Sequence, residues 1–101
     1  NAASGTTTGS NNIVIGYNID LPTVSTNNAI NIANSIFGVD SYSANSKIGI
    51  NNNNPTQTLD ISGKIKLSDD INTPTPGTLR YNSGTDKFQG FTSGSGWVDL
   101  H

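Results

Sequence analysis

The sequence predicts an all-β chain, and three observations predict it. Its eleven isoleucines fall mostly in short alternating runs, Asn12-Ile13-Val14-Ile15-Gly16, Ile30-Asn31-Ile32 and Lys47-Ile48-Gly49-Ile50 among them. β-Branched side chains of this kind suit a pleated, half-buried surface. Between the runs lie Gly, Asn, Ser and Thr, which form turns because they tolerate left-handed backbone or hydrogen-bond to it locally. A loose repeat also runs through the first half. Asn11-Asn12-Ile13-Val14-Ile15-Gly16 is followed by Asn27-Asn28-Ala29-Ile30-Asn31-Ile32 and Asn45-Ser46-Lys47-Ile48-Gly49-Ile50, at spacings of 16 and 18 residues. Short β rungs stacked along an axis give such a pattern, since no rung can bury its apolar face without a neighbour.

Taken in order, the first three runs are strands of a repetitive β shaft over residues 1–54. Ile32, Ala33, Ile36 and Phe37 also fall near helical spacing, but Asn31, Asn34 and Ser35 are poor interior helix residues, so Asn28 to Phe37 reads as strand. Asn51 to Asn54 form a capped turn ahead of Pro55. Residues 55–76 read as a connecting hairpin or linker. In it Leu59-Asp60-Ile61 and Lys64-Ile65-Lys66-Leu67 flank Ser62-Gly63, either as a two-residue hairpin or as one strand kinked at the glycine. Pro74 and Pro76 lack backbone donors and mark the boundary before the last module, residues 77–101. There Leu79 and Tyr81, then Lys87 to Thr92, then Trp97 to Leu100 alternate across turns at Ser83 to Asp86 and Ser93 to Gly96. This is a three-stranded meander, about the minimum number of strands for independent stability when one face finds apolar cover.

Composition narrows the function. Apolar residues make up 32% of the 101 and charged residues 12%, with net charge -2. The private core is therefore thin while charge repulsion is weak, and burial against copies of the same chain is expected. Four Lys and one Arg against seven Asp leave no basic patch, so nucleic acid is not an expected partner. No apolar run reaches the length of a membrane span, so membrane insertion is not expected. There is no Cys, hence no disulfide and no thiolate metal site. Asn1 is not a natural start, and the chain reads as a piece of something longer.

Three segments together resemble a set found in bacteriophage and related viral tail-fibre proteins. Gly9-Ser10-Asn11-Asn12-Ile13-Val14-Ile15-Gly16-Tyr17-Asn18 is similar to the GSNNIAIGY-type repeats of fibre shafts. Ile48-Gly49-Ile50, passing through Asn54-Pro55 to Leu59-Asp60-Ile61-Ser62-Gly63-Lys64-Ile65, resembles an IGIGT…NP…LDV-x-G-x-I segment. Pro76-Gly77-Thr78-Leu79-Arg80-Tyr81-Asn82, continuing through Phe88-Gln89-Gly90-Phe91 to Trp97-Val98, resembles the PGT-[IL]-RYN…KFEGY…W-V unit near fibre C-termini. Similar repeats to the first also occur in trimeric bacterial surface adhesins. The chain departs from the pattern where Asn51, Asn52 and Asn53 replace the Gly and Thr after Ile50. The resemblance implies an elongated, interwoven homotrimeric β fibre, extracellular on the virion, joined to other fibre or tail proteins.

The inventory for catalysis is nearly empty, so no enzyme is expected. His101 stands alone at the end, and Asp69-Asp70 are neighbours that an extended chain points to opposite faces. Gly94-Ser95-Gly96 lacks the strand, helix and Lys context of a phosphate loop. The Asn51 to Asn54 run lacks the alternating Asp ligands of a calcium loop. No metal and no cofactor are expected. Arg80 is expected to pair with Asp86 or Asp99 and to set register. Aromatic faces beside polar groups are what a sugar-binding site needs, and exposed turn tips are where binding residues gather. The candidate receptor-binding residues are accordingly Tyr81, Asp86, Lys87, Phe91 and Trp97, facing a host surface glycan or protein. The competing role, a small meander core, is preferred for Phe88 and Trp97. The expected function is structural and adhesive. The alternatives are a fragment of a bacterial trimeric adhesin, a purely structural fibre connector, or a fibre-borne depolymerase fragment.

Overall fold

The computed structural model describes residues 2–5, 8–69 and 72–101. Its regular structure is entirely β, with no helix among the described residues: β1 (Ile13–Ile15), β2 (Ile30–Ile32), β3 (Ile36–Val39), β4 (Lys47–Ile50), β5 (Leu59–Ile61), β6 (Leu79–Asn82), β7 (Lys87–Thr92) and β8 (Gly96–Asp99). The strands make two sheets, β1-β2-β3-β4-β5 and β6-β7-β8. The chain divides into two compact units, Asn1–Lys64 and Ile65–His101, each holding one sheet.

In the first unit β1 lies parallel to β2 with Ile13 opposite Ile30. The same register runs on well beyond the strands. Ala3 N–H donates to the Ile19 carbonyl at 2.7 Å, Thr8 N–H to Val24 at 3.0 Å, Asn28 N–H to Ser10 at 3.1 Å and Ala33 N–H to Ile15 at 2.8 Å. A ladder at constant offset thus joins Ala3 and residues 8–15 to residues 19–33. Asparagines hold it. Asn11 and Asn28, 17 residues apart, both adopt left-handed φ (57° and 55°), and Asn11 Nδ2 donates to Asn28 Oδ1 at 3.3 Å. Asn12 spans the rungs, donating to the Thr26 carbonyl at 2.7 Å and accepting from Ala29 N–H at 3.0 Å. The spacing of 16 read from Asn11 to Asn27 is therefore corrected by one residue. Asn27 instead accepts from Ser10 N–H at 2.7 Å.

The strand reading over Asn28 to Phe37 resolves into β2, a tight turn and β3. Ala33 and Asn34 both take positive φ (50° and 53°), as a type I′ hairpin turn requires, and Ser35 N–H closes on the Ile32 carbonyl at 3.0 Å. β3 is antiparallel to both β2 and β4. The third repeat, β4, is thus separated from the second by a strand that the repeat pattern does not contain. β5 then returns parallel to β4, with Ile48 opposite Leu59. The Asn51 to Asn54 run makes this short return possible. Asn51 has φ 52°, Asn52 Oδ1 accepts from Asn54 N–H at 3.0 Å as an Asx-turn does, and Pro55 is buried behind it. Residues 64–67 form no strand, so Ser62-Gly63 is neither a hairpin turn nor a kink in a continuing strand. The stretch 55–76 read as a connector contributes β5 to the first sheet, and the contact boundary falls after Lys64.

Cross-strand neighbours share a sheet face, so the registers sort the side chains. On one face stand two rows, Ile13-Ile30-Gly38-Ile48-Leu59 and Ile15-Ile32-Ile36-Ile50-Ile61. Asn31 points to the opposite face, where its Nδ2 donates to the Asp20 carbonyl at 2.9 Å and ties down the β1–β2 loop. The small core sits there, and the buried hydrophobic residues are Ile19, Leu21 and Ala29.

The second unit is the expected meander. β6 pairs antiparallel with β7 and β7 with β8, with Tyr81 opposite Phe88 and Phe91 opposite Trp97. Turns fall at Ser83 to Asp86 and Ser93 to Ser95, and Gly96 takes the left-handed φ of 68° that closes the second turn.

Candidate functional site

The residues singled out in the sequence lie on both faces of the meander. Register decides this. Pairing Tyr81 with Phe88 puts these two on one face with Leu79, Val98 and Leu100, while Arg80, Asn82, Gln89, Phe91, Trp97 and Asp99 share the other. Tyr81 and Phe88 touch with ring centroids 5.3 Å apart at 59°. The Tyr81 hydroxyl donates a short hydrogen bond to Asp86 Oδ1 across the first turn, and that bond raises the phenol above its ordinary value of 10.0. Lys87 Nζ donates to the His101 carbonyl at 3.2 Å, and Phe88 N–H donates to His101 Nε2 at 3.2 Å.

On the second face Phe91 and Trp97 meet edge to face, centroids 5.3 Å apart at 68°. The Arg80 guanidinium lies 3.9 Å over the indole, a cation–π arrangement. Gln89, 7% exposed, ties this face together. Its Oε1 accepts from Arg80 Nε at 3.0 Å, Arg80 Nη2 at 2.9 Å and Asn82 Nδ2 at 3.2 Å, and its Nε2 donates to Asp99 Oδ1 at 2.8 Å. Arg80 thus reaches Asp99 through Gln89. The register role expected of Arg80 falls to the network centred on Gln89, a residue that sequence reading passed over. Gln89 carries no charge and its motif assigns it no role, and only the pairing of three strands shows it at the centre.

The first turn is held from outside the sheet. Asp69 accepts from Ser83 N–H at 2.9 Å and, at shorter range, from the Ser83 hydroxyl. These bonds, the hydroxyl's first, hold its carboxyl below the ordinary 3.8. Asp69 is therefore a turn anchor; its neighbour Asp70 lies outside the described residues.

The first unit offers two further surfaces that sequence reading missed. A groove of about 590 Å³ opens beside the β1–β2 loop, with Leu21, Pro22, Ala29, Phe37 and Val39 in its wall and Asp20 and Asp40 as its carboxylates. The second is the face of the two isoleucine rows, where Ile13, Ile15, Ile36 and Leu59 are 42%, 55%, 37% and 59% exposed. Among the described residues no group of His, Cys, Asp or Glu converges as metal ligands do.

No protein-family model matches the chain, and neither a curated protein nor a solved structure matches it.

Proposed function

We propose that the chain is a structural and receptor-binding portion of a phage or viral tail fibre, working as a homotrimer that extends the particle and contacts a host surface glycan or protein. The observation that carries this is the missing core. Among the described residues no large side chain is fully enclosed, while Leu59, Leu79, Leu100 and others stand more than half exposed. Within each unit the exposed aliphatic side chains of the strands share one sheet face, and monomeric proteins rarely leave large contiguous apolar patches uncovered. A folded all-β chain of this kind is suited to completing its burial in an assembly. The sequence resemblance to fibre proteins agrees with that reading.

In such an assembly the meander presents the Ser83 to Asp86 and Ser93 to Ser95 turns, with Tyr81, Asp86 and Lys87 beside the first and Phe91 and Trp97 beside the second. Three identical copies multiply weak contacts, so a modest single-site affinity suffices for attachment. Sedimentation equilibrium tests the assembly, and glycan-array and whole-cell binding of the assembled protein test the recognition. A monomer at micromolar concentration refutes the fibre reading. A trimer that binds no susceptible cell leaves a connector.

A further inference from the structure

We propose that the two isoleucine rows of the five-stranded sheet are the surface through which copies of this chain associate, each face closing against the same face of its neighbours about a common axis. The inference rests on the homotrimer proposed above and adds to it the residues that touch.

The chemistry of the face selects its occupant. Nine of its ten positions are aliphatic and the tenth is Gly38, over which the buried Ser41 hydroxyl brings a side-chain oxygen to the face. A glycan or charged peptide requires convergent polar groups for orientation, and the side chains of the rows supply none, while the single Ser41 hydroxyl is buried. The opposite face differs, since Asn31 and Asp60 stand on it and the β1–β2 loop is tied to it through Asn31. On the row face Ser41 packs over the Ile30 and Gly38 end, while Ile13, Ile15, Ile36 and Leu59 remain 42%, 55%, 37% and 59% exposed. A second copy is a partner of fixed stoichiometry whose face has the same chemistry. A row of five isoleucines meets symmetry-related rows of the same chemistry when closed rotation about one axis brings identical faces together.

Area bears on how many copies meet. Five strands at about 4.8 Å spacing and three residues at about 3.3 Å give a footprint of about 240 Å². A standard pairwise interface takes about 800 Å² from each partner. One such face between two copies is too small to hold a dimer alone. Closure onto an axis lets each face meet two neighbours, and the meander brings a second apolar patch in Leu79, Phe88, Val98 and Leu100.

The experiment uses the full chain. Ile15→Lys combined with Ile36→Lys places two charges in the second row at positions already 55% and 37% exposed. Val24→Lys combined with Tyr42→Lys, at positions 54% and 67% exposed and outside the rows, is the control. Sedimentation equilibrium is expected to give a trimer for the unmodified chain and the control, with association weakened at least 100-fold in the row variant. A row variant that stays fully trimeric overturns the inference and leaves the homotrimer standing, whereas a monomeric unmodified chain overturns both. Circular dichroism shows whether the row variant folds. If it does not, Ile36→Cys decides, because the chain has no other cysteine. A bis-maleimide spanning about 10 Å, the spacing of face-packed sheets, is expected to link copies through Cys at this position. Absence of links in a chain that sediments as a trimer overturns the proposal.

Discussion

Asn31 shows how much a single polar side chain holds in a protein with so little core. It is 5% exposed and makes three bonds, donating to the Asp20 carbonyl and to Asn34 Oδ1, each at 2.9 Å, and accepting from Asn34 N–H at 3.0 Å. It joins a loop, a strand and a hairpin turn. Each such bond contributes about 1 kcal/mol net, and orphaned partners add their own desolvation cost. Asn31→Leu is expected to lower stability by about 2–4 kcal/mol, read from urea unfolding. Gly49 is constrained by space, since a Cβ there would stand 1.9 Å from the Asn52 carbonyl oxygen. Gly49→Ala must displace the asparagine turn and is expected to cost about 2 kcal/mol or more. The same turn carries a pH dependence. Asp60 Oδ2 accepts from Thr56 N–H at 2.9 Å and from the Thr56 hydroxyl at 3.1 Å. These bonds, the backbone one first, and a weaker one from Asn52 hold its carboxyl below 3.8. A folded-state value below the unfolded one means that the stabilisation is present above the unfolded value and is lost as pH falls through the folded one. Thermal unfolding between about pH 2 and 6 is expected to show that acid loss, and Asp60→Asn to flatten it.

At the scale of elements, the sequence marks most strands and few of their partners. The β-branched runs place β1, β2 and β4, and turn residues place the meander strands, because these signals are local. Pairing is not local. Two adjacent asparagines in each of the first two repeats leave the offset open by one residue, and only the hydrogen bonds show Asn11 against Asn28. β3 escapes the repeat because Ile36-Phe37-Gly38-Val39 does not alternate apolar with polar. The parallel return of β5 depends on an Asx-turn whose geometry no composition reveals. The candidate site was split for a related reason. The four-residue turn between β6 and β7 pairs Tyr81 with Phe88, which sends Phe91 and Trp97 to the other face. On that face Gln89→Leu would strip acceptors from Arg80 and Asn82 and the donor from Asp99. The groups left buried without partners add their own desolvation cost, so the change is expected to cost about 2–4 kcal/mol. It should also broaden the β6 and β8 amide resonances in NMR spectra, whereas Lys87→Ala, at an exposed bond, should leave both unchanged.

At the scale of the whole molecule, cover over the isoleucine rows is a sizeable fraction of the stability of a folded domain. Full burial of an aliphatic side chain contributes about 2 kcal/mol, and about 40% of that remains to be gained at each half-exposed position. The four most exposed side chains, Ile13, Ile15, Ile36 and Leu59, therefore stand to contribute about 3 kcal/mol per chain, against the 5–15 kcal/mol that separates folded from unfolded domains. Folding and association are then one equilibrium, and concentration enters the melting temperature by mass action. Unfolding absorbs about 0.7 kcal/mol per residue near 60 °C, or about 70 kcal/mol for a chain of this length and about 210 for three. For a trimer that melts to three unfolded chains, each tenfold rise in concentration lifts Tm by about 5 °C. Calorimetric scans over two decades of concentration are expected to show a rise of about 10 °C. The Ile15→Lys, Ile36→Lys variant should lose that dependence, because a chain that unfolds alone has a Tm independent of its concentration. A flat Tm in the unmodified chain would mean that the rows contribute nothing to a shared core, whatever mass the protein shows in solution.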